Sequence, residues 1–246
     1  MSKINPYVSV MMNNHRILKC TCAVTMLCLM SAVASAQELS KNPTIGRENG
    51  HEWVDLGLSV KWATCNVGAV SPASYGNYYA WGETSTKSDY GWGSLKYCTD
   101  TSSDHFNKYV LYSQSKYWSG SGGPDNKTRL DLSDDAARQN WGGDWRTPTM
   151  AEWEELDTKC TWTWTTRRGK NGYEVTGKNG NSIFLPAAGY FFESSLLFDG
   201  SRGNYWSSSL STDGPFLVLE MCFGPGGHRM CGSRRDSGQS VRPVID

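Results

Sequence analysis

The chain has 246 residues with 24 basic and 24 acidic side chains, 11 tryptophans and 26 glycines. A balance without net charge supplies no electrostatic footprint for nucleic acid. No stretch beyond the first 36 residues is apolar and long enough to span a bilayer. Many large rings among few long aliphatic runs point to a loop-rich domain with an aromatic core.

Residues 1–36 read as a secretory signal peptide. Arg16 and Lys19 give a positive start, residues 20–33 a short apolar stretch, and Ala34-Ser35-Ala36 a cleavage motif, with Met11 or Met12 as alternative starts. The residue before Cys28 is Leu27 rather than a small one, so no lipid anchor is expected. Removing 36 of 246 residues leaves 210, and without Lys3, Arg16 and Lys19 the balance is 21 basic to 24 acidic. That length suits one large domain. Five cysteines remain, Cys65, Cys98, Cys160, Cys222 and Cys231. Export permits disulfides, the odd count leaves at least one thiol unpaired or intermolecular, and spacing does not choose a pairing.

Residues 37–50 are polar and read as a linker. From Trp53 the chain alternates, with Val54, Leu56 and Leu58 against Asp55 and Gly57, and a second strand is expected over 59–64. Residues 75–82 are an aromatic-glycine patch expected in the core. Residues 84–129 read as long surface loops, with a glycosylation sequon at Asn126-Lys127-Thr128. Ser133 is the expected cap of a short helix that Gly142 and Gly143 stop. Thr149 and Glu152 form a capping box opening a helix to about Lys159. Thr161 to Thr165 alternates as a strand, Asn171-Gly172 and Asn179-Gly180 read as turns, and Ser182 to Pro186 as a further strand. Residues 216–223 have the length and composition of a buried strand. Residues 224–238 carry five glycines, His228 and three arginines with almost no large apolar side chains, and read as an exposed loop. The fold class expected is α+β, with short antiparallel strands, two helices and long loops.

Several motifs in order resemble the Fibrobacter succinogenes major paralogous domain. They are Val54-Asp55-Leu56-Gly57-Leu58-Ser59-Val60-Lys61-Trp62-Ala63-Thr64-Cys65-Asn66-Val67-Gly68, Tyr78-Tyr79-Ala80-Trp81-Gly82-Glu83, Trp141-Gly142-Gly143-Asp144-Trp145-Arg146-Thr147-Pro148-Thr149 with Glu152-Trp153, Leu185-Pro186-Ala187-Ala188-Gly189, Tyr205-Trp206-Ser207-Ser208-Ser209 and Ser240-Val241-Arg242-Pro243-Val244. The resemblance covers essentially all of residues 51–246. It implies a C-type-lectin-like fold, shared with formylglycine-generating enzymes and phage receptor-binding variable domains, in a family abundant in exported Bacteroidetes proteins. Some relatives are targets of diversity-generating retroelements, which randomise adenines at the 3′ end of the gene. Residues 226–238, Met230 excepted, belong to the set reachable from asparagine codons in that way.

Catalytic chemistry is weakly represented. His15, His51, His105 and His228 are scattered without zinc spacing. Asp125, Asn126, Asp131, Asp134 and Asp135 make calcium conceivable without an EF-hand pattern, Asp134-Asp135 reading better as helix-start acids. There is no nucleophile elbow, and Ser207 to Ser209 read as cross-strand contacts. Oxidase chemistry of the formylglycine-generating type would need a reactive cysteine pair, for which Cys222 and Cys231 are the candidates. A disulfide stapling their loop, or an accidental pair, is the alternative. The expectation is therefore a ligand-binding or adhesion module with no catalytic, metal or cofactor residues. Its partner would be a protein or glycan, bound by Tyr205, Trp206, His228, Arg229, Ser233, Arg234, Arg235 and Asp236. A structural cell-envelope component is the alternative. Arg242 reads as framework, paired with a carboxylate.

Overall fold

The computed structural model describes Thr44–Asp246 apart from Ser102. The expected signal peptide, and the expected linker up to residue 43, lie outside the described residues. The rest of that linker is a strand. Ile45–Glu48 forms β1 and pairs with β2 (His51–Val54) through Asn49 and Gly50, both at positive φ. Its polar composition reflects an edge position, where one side of the strand has no partner.

The architecture is mixed α/β, mostly short antiparallel strands in four small sheets with few helices. The first sheet runs β1-β2-β3-β12, with β3 at Lys61–Ala63 and β12 at Val244–Ile245. Val244 lies opposite Trp62, so the two ends of the described domain meet in one sheet. The second sheet runs β4-β5-β6, over Thr161–Arg167, Lys170–Thr176 and Ser182–Pro186. Asn171 and Gly172, expected to turn the chain, lie inside β5, and the reversal falls at Arg168 and Gly169, both at positive φ. A small hairpin joins β7 (Tyr190–Phe192) and β8 (Ser195–Leu197). The fourth sheet runs β11-β10-β9, with β9 at Gly203–Leu210, β10 at Leu217–Gly224 and β11 at Gly227–Arg234.

The helices are α1 (Ala136–Trp141) and α2 (Met150–Lys159). Asp135, not Ser133, caps α1: its carboxylate accepts from the N–H groups of Ala137 and Arg138, while Leu132–Asp134 is a separate 3-10 turn. Thr149 and Glu152 close the expected capping box of α2, each accepting from the other's backbone N–H, at 3.3 and 2.7 Å. No described helix is long and apolar enough to cross a membrane.

The core is aromatic, and β9 runs through it. Tyr205 and Trp206 are 0% and 1% exposed. Indole N–H groups reach backbone carbonyls across the core: Trp206 donates to Tyr79 at 2.7 Å, Trp81 to Ser207 at 2.8 Å and Trp153 to Trp206 at 3.2 Å. A buried ring thus brings apolar area and satisfies a polar group at once. Gly189 closes the Leu185–Gly189 motif because it sits at φ +66 with the Leu197 carbonyl 2.2 Å from where a Cβ would lie. Arg242 is fully buried and, among the described residues, meets no carboxylate. It donates to the carbonyls of Ala63, Thr64 and Phe184 and to Asn66 Oδ1, at 2.9 to 3.2 Å.

Candidate functional site

Most of the expected loop over residues 224–238 is a strand, and only residues 225–226 and 235–237 are turn or bend. Cys222 and Cys231 form a disulfide between β10 and β11, which pair from Leu217 opposite Arg234 to Gly224 opposite Gly227, with Pro225 and Gly226 at the reversal. Polar residues can build this strand because β11 is an edge strand that presents alternate side chains to two surroundings.

Those surroundings sort the expected ligand-binding residues. His228 turns toward α2, where its Nδ1 meets the Asp157 carboxylate and its ring stacks on Trp162 at 4.4 Å. Arg234 forms a bidentate pair with Asp236 at 2.9 and 2.5 Å. Its guanidinium lies 4.9 and 4.8 Å from the rings of Trp92 and Phe192. Arg235 is 0% exposed, donates to the carbonyls of Pro215 and Lys108, and lies over Phe106. Burial pushes its pKa down to about 10. Asp236 is buried too. Tyr205, Trp206, Arg235 and Asp236 therefore belong to the interior and offer a ligand no surface. Arg229 is exposed and Ser233 half-buried, its Oγ accepting from Gln239 at 2.9 Å.

Arg229 and Ser233 line a cleft of about 1050 Å³ over the β9–β11 sheet. One wall comes from the β7–β8 hairpin and the turn after it, through Tyr190, Phe192, Phe198 and Arg202. Phe198 sits at φ +60, remains 45% exposed, and stacks beside Tyr190 with centroids 6.0 Å apart. The Arg202 guanidinium lies over the Phe198 ring at 4.3 Å. Among the described residues neither Arg202 nor Arg229 pairs with a carboxylate. Arg229 Nε instead points to Cys231 Sγ at 3.4 Å.

Glu220 also lines the cleft and is 4% exposed. Asn204 Nδ2 donates to its two oxygens at 3.1 and 3.3 Å. Burial raises the Glu220 pKa to about 7, against the opposing pull of the Gln239 and Asn204 amides. The Oδ1 of Asn204 and the Oε1 of Gln239, both buried, have no donor. The Glu220 carboxylate and the Cys222 and Cys231 sulfurs lie within 4.8 Å of one another, and the closed disulfide withholds both sulfurs from a metal.

The residues weighed for calcium have protein partners. Asp134 accepts from Lys96, Lys108, Tyr97 and Tyr109, and Asp131 meets Lys108 and Lys127. Asp125 accepts from the N–H groups of Tyr109 and Val110, Asp135 from those of Ala137, Arg138 and Thr147, and Asn126 from that of Tyr112.

Sequence reasoning missed Tyr190, Phe198, Arg202, Asn204 and Glu220. One signal was available: Glu220 interrupts an otherwise apolar run, and an acid inside a buried strand is costly unless the fold uses it. The cleft wall has no such marker, because hairpin and sheet are brought together only by tertiary contacts. No family model, curated protein or solved structure matches the chain.

Proposed function

We propose that this chain is an exported ligand-binding or adhesion module that recognises its ligand non-covalently in the cleft over β9–β11. The observation that carries the reading is the cleft itself, an open concavity of about 1050 Å³ combining an exposed aromatic shelf with unpaired guanidinium groups. Concave sites with ring faces and a few placed polar groups suit recognition. The closed Cys222–Cys231 bridge supports binding over oxidase chemistry, since neither sulfur is a free thiolate.

We further propose that the domain belongs to the Fibrobacter succinogenes major paralogous domain family and has a C-type-lectin-like fold. The ordered motifs support this, as do the short antiparallel strands and two helices. Retroelement-driven variation, in this proposal, acts on the cleft-lining part of β11, because Arg235 to Gly238 are committed to the interior. Sequencing the 3′ end of the gene across a growing population, with its flanking DNA, tests that: variation at Arg229, Cys231 and Ser233 is expected, and an invariant end overturns it.

The binding reading is tested by screening the protein against glycan panels, peptide panels and whole cells beside a Ser201→Trp variant. Ser201 is an exposed cleft residue, so an indole there obstructs the cleft at little cost to the fold. Binding lost in the variant is the expected result. Binding retained at full strength moves the site elsewhere, and no binding by either protein favours a structural envelope role.

A further inference from the structure

The cleft is distinguished by its charge. Three arginines line it, Arg202, Arg229 and Arg234, against one acid, Glu220. Arg234 is neutralised by Asp236, which leaves Arg202 and Arg229 as cations without a carboxylate. Glu220 offsets them only in part: it lies buried beneath the surface, and burial raises its pKa to about 7, so that near neutral pH it is ionised only about half the time. A site in which guanidinium groups stand open and the one acid of the lining is buried favours an anionic ligand.

Its other features describe the rest of that ligand. Phe198 and Tyr190 present neighbouring rings, a platform for flat or slightly puckered ring faces. Leu217 is the one branched aliphatic side chain in the lining, so the cleft offers little to the apolar side chains of a peptide. Ser201 and Ser233 add small polar groups at the mouth and wall.

We propose that the cleft binds an acidic oligosaccharide, with Arg202 and Arg229 pairing with its carboxylates and Phe198 and Tyr190 carrying its ring faces. The inference rests on the binding reading above and names the ligand class for the same site. Arg202 is held over Phe198, so one guanidinium serves the anion while the ring beneath it carries the sugar. Arg229 stands across the cleft on β11, so a chain spanning both arginines would set carboxylates on more than one sugar unit against the protein.

Titration calorimetry tests it, with oligomers of galacturonate, glucuronate and mannuronate, their methyl esters, and an oligoglutamate of equal charge. Esterification keeps every ring and hydroxyl but removes the charge. At least one uronate series is expected to bind, and its ester to bind at least about tenfold more weakly, the loss expected for a charge-assisted contact. Arg202→Ala and Arg229→Ala should each weaken the acid about fivefold or more and leave the ester nearly unchanged, whereas Phe198→Ala should weaken both. Equal binding of acid and ester overturns the role of the arginines. Oligoglutamate binding as tightly as the uronates overturns the saccharide. A neutral glycan or a peptide bound in a way that Ser201→Trp abolishes, with no uronate bound, overturns the ligand class and leaves the binding reading standing. Binding of nothing on any panel overturns both.

Discussion

Two pairs of arginines in the C-terminal part of the chain meet opposite fates. Arg235 and Arg242 are wholly buried, and every hydrogen bond they donate ends on a backbone carbonyl or on Asn66. Arg202 and Arg229 are exposed on the cleft. Among the described residues neither buried guanidinium pairs with a carboxylate, so carbonyl dipoles carry the charge, with ring faces helping around Arg235. A delocalised, weakly hydrated guanidinium tolerates this where a lysine ammonium would not. The buried pair ties segments together, and the exposed pair is left for solvent or a partner. Residue type does not separate the two groups; the layer of the fold they occupy does.

The largest effect should come from removing a buried arginine. Arg242 joins the β3 end, Asn66, β6 and the C-terminal segment through four donor contacts. Arg242→Ala leaves those acceptors without donors and opens a cavity, and should lower stability by about 3 kcal/mol or more. For a domain of this size that is a fall in Tm of roughly 6–12 °C. Urea unfolding followed by tryptophan fluorescence measures it. A loss below about 1 kcal/mol would mean that the carbonyls find other donors, and the buried pair would no longer differ from the exposed one.

A smaller effect of opposite sign is expected at Glu220. Its folded pKa, about 7, lies above the unfolded carboxyl value, so between roughly pH 4.5 and 7 the folded state holds the extra proton. Stability therefore falls as pH rises through that window and levels off above it. Glu220→Gln removes the titration, and its amide can donate to an unpartnered oxygen of Asn204 or Gln239 where a carboxylate cannot. The variant should match the wild type near pH 4 and exceed it by roughly 3 kcal/mol at pH 8. Parallel pH profiles for both proteins would show no divergence, and would place the Glu220 charge in a better-solvated setting than its burial implies.

What was legible in the sequence follows from contrast along the chain. Thr149 and Glu152 specify their helix start because a capping box is local. Thr161 to Thr165 and residues 216–223 mark strands because apolar residues stand out from their neighbours. Residues 227–234 show no such contrast: Arg229, Cys231 and Ser233 alternate with His228, Met230 and Gly232, and neither set is consistently apolar. A polar edge strand therefore reads as a loop. Arg235 was read as a surface group for a related reason. Its acceptors, the carbonyls of Pro215 and Lys108, are set by chain geometry and leave no trace in residue identity. Tyr205 and Trp206 were candidate contact rings by composition, yet their strand runs through the core.

The smallest expected effect sharpens the comparison most. Arg202→Ala and Arg229→Ala remove exposed side chains without carboxylate partners among the described residues, and should each change stability by less than about 1 kcal/mol. The ring contact under Arg202 sets the upper end of that range, since an exposed cation–π pair contributes about 0.5–1 kcal/mol at most. Thermal unfolding of the two variants beside Arg242→Ala places all three on one scale. A neutral result at Arg202 and Arg229 means that the fold does not need them, and leaves ligand recognition as their use. A loss comparable to that of Arg242→Ala would make the cleft arginines structural and remove the distinction on which the functional reading depends.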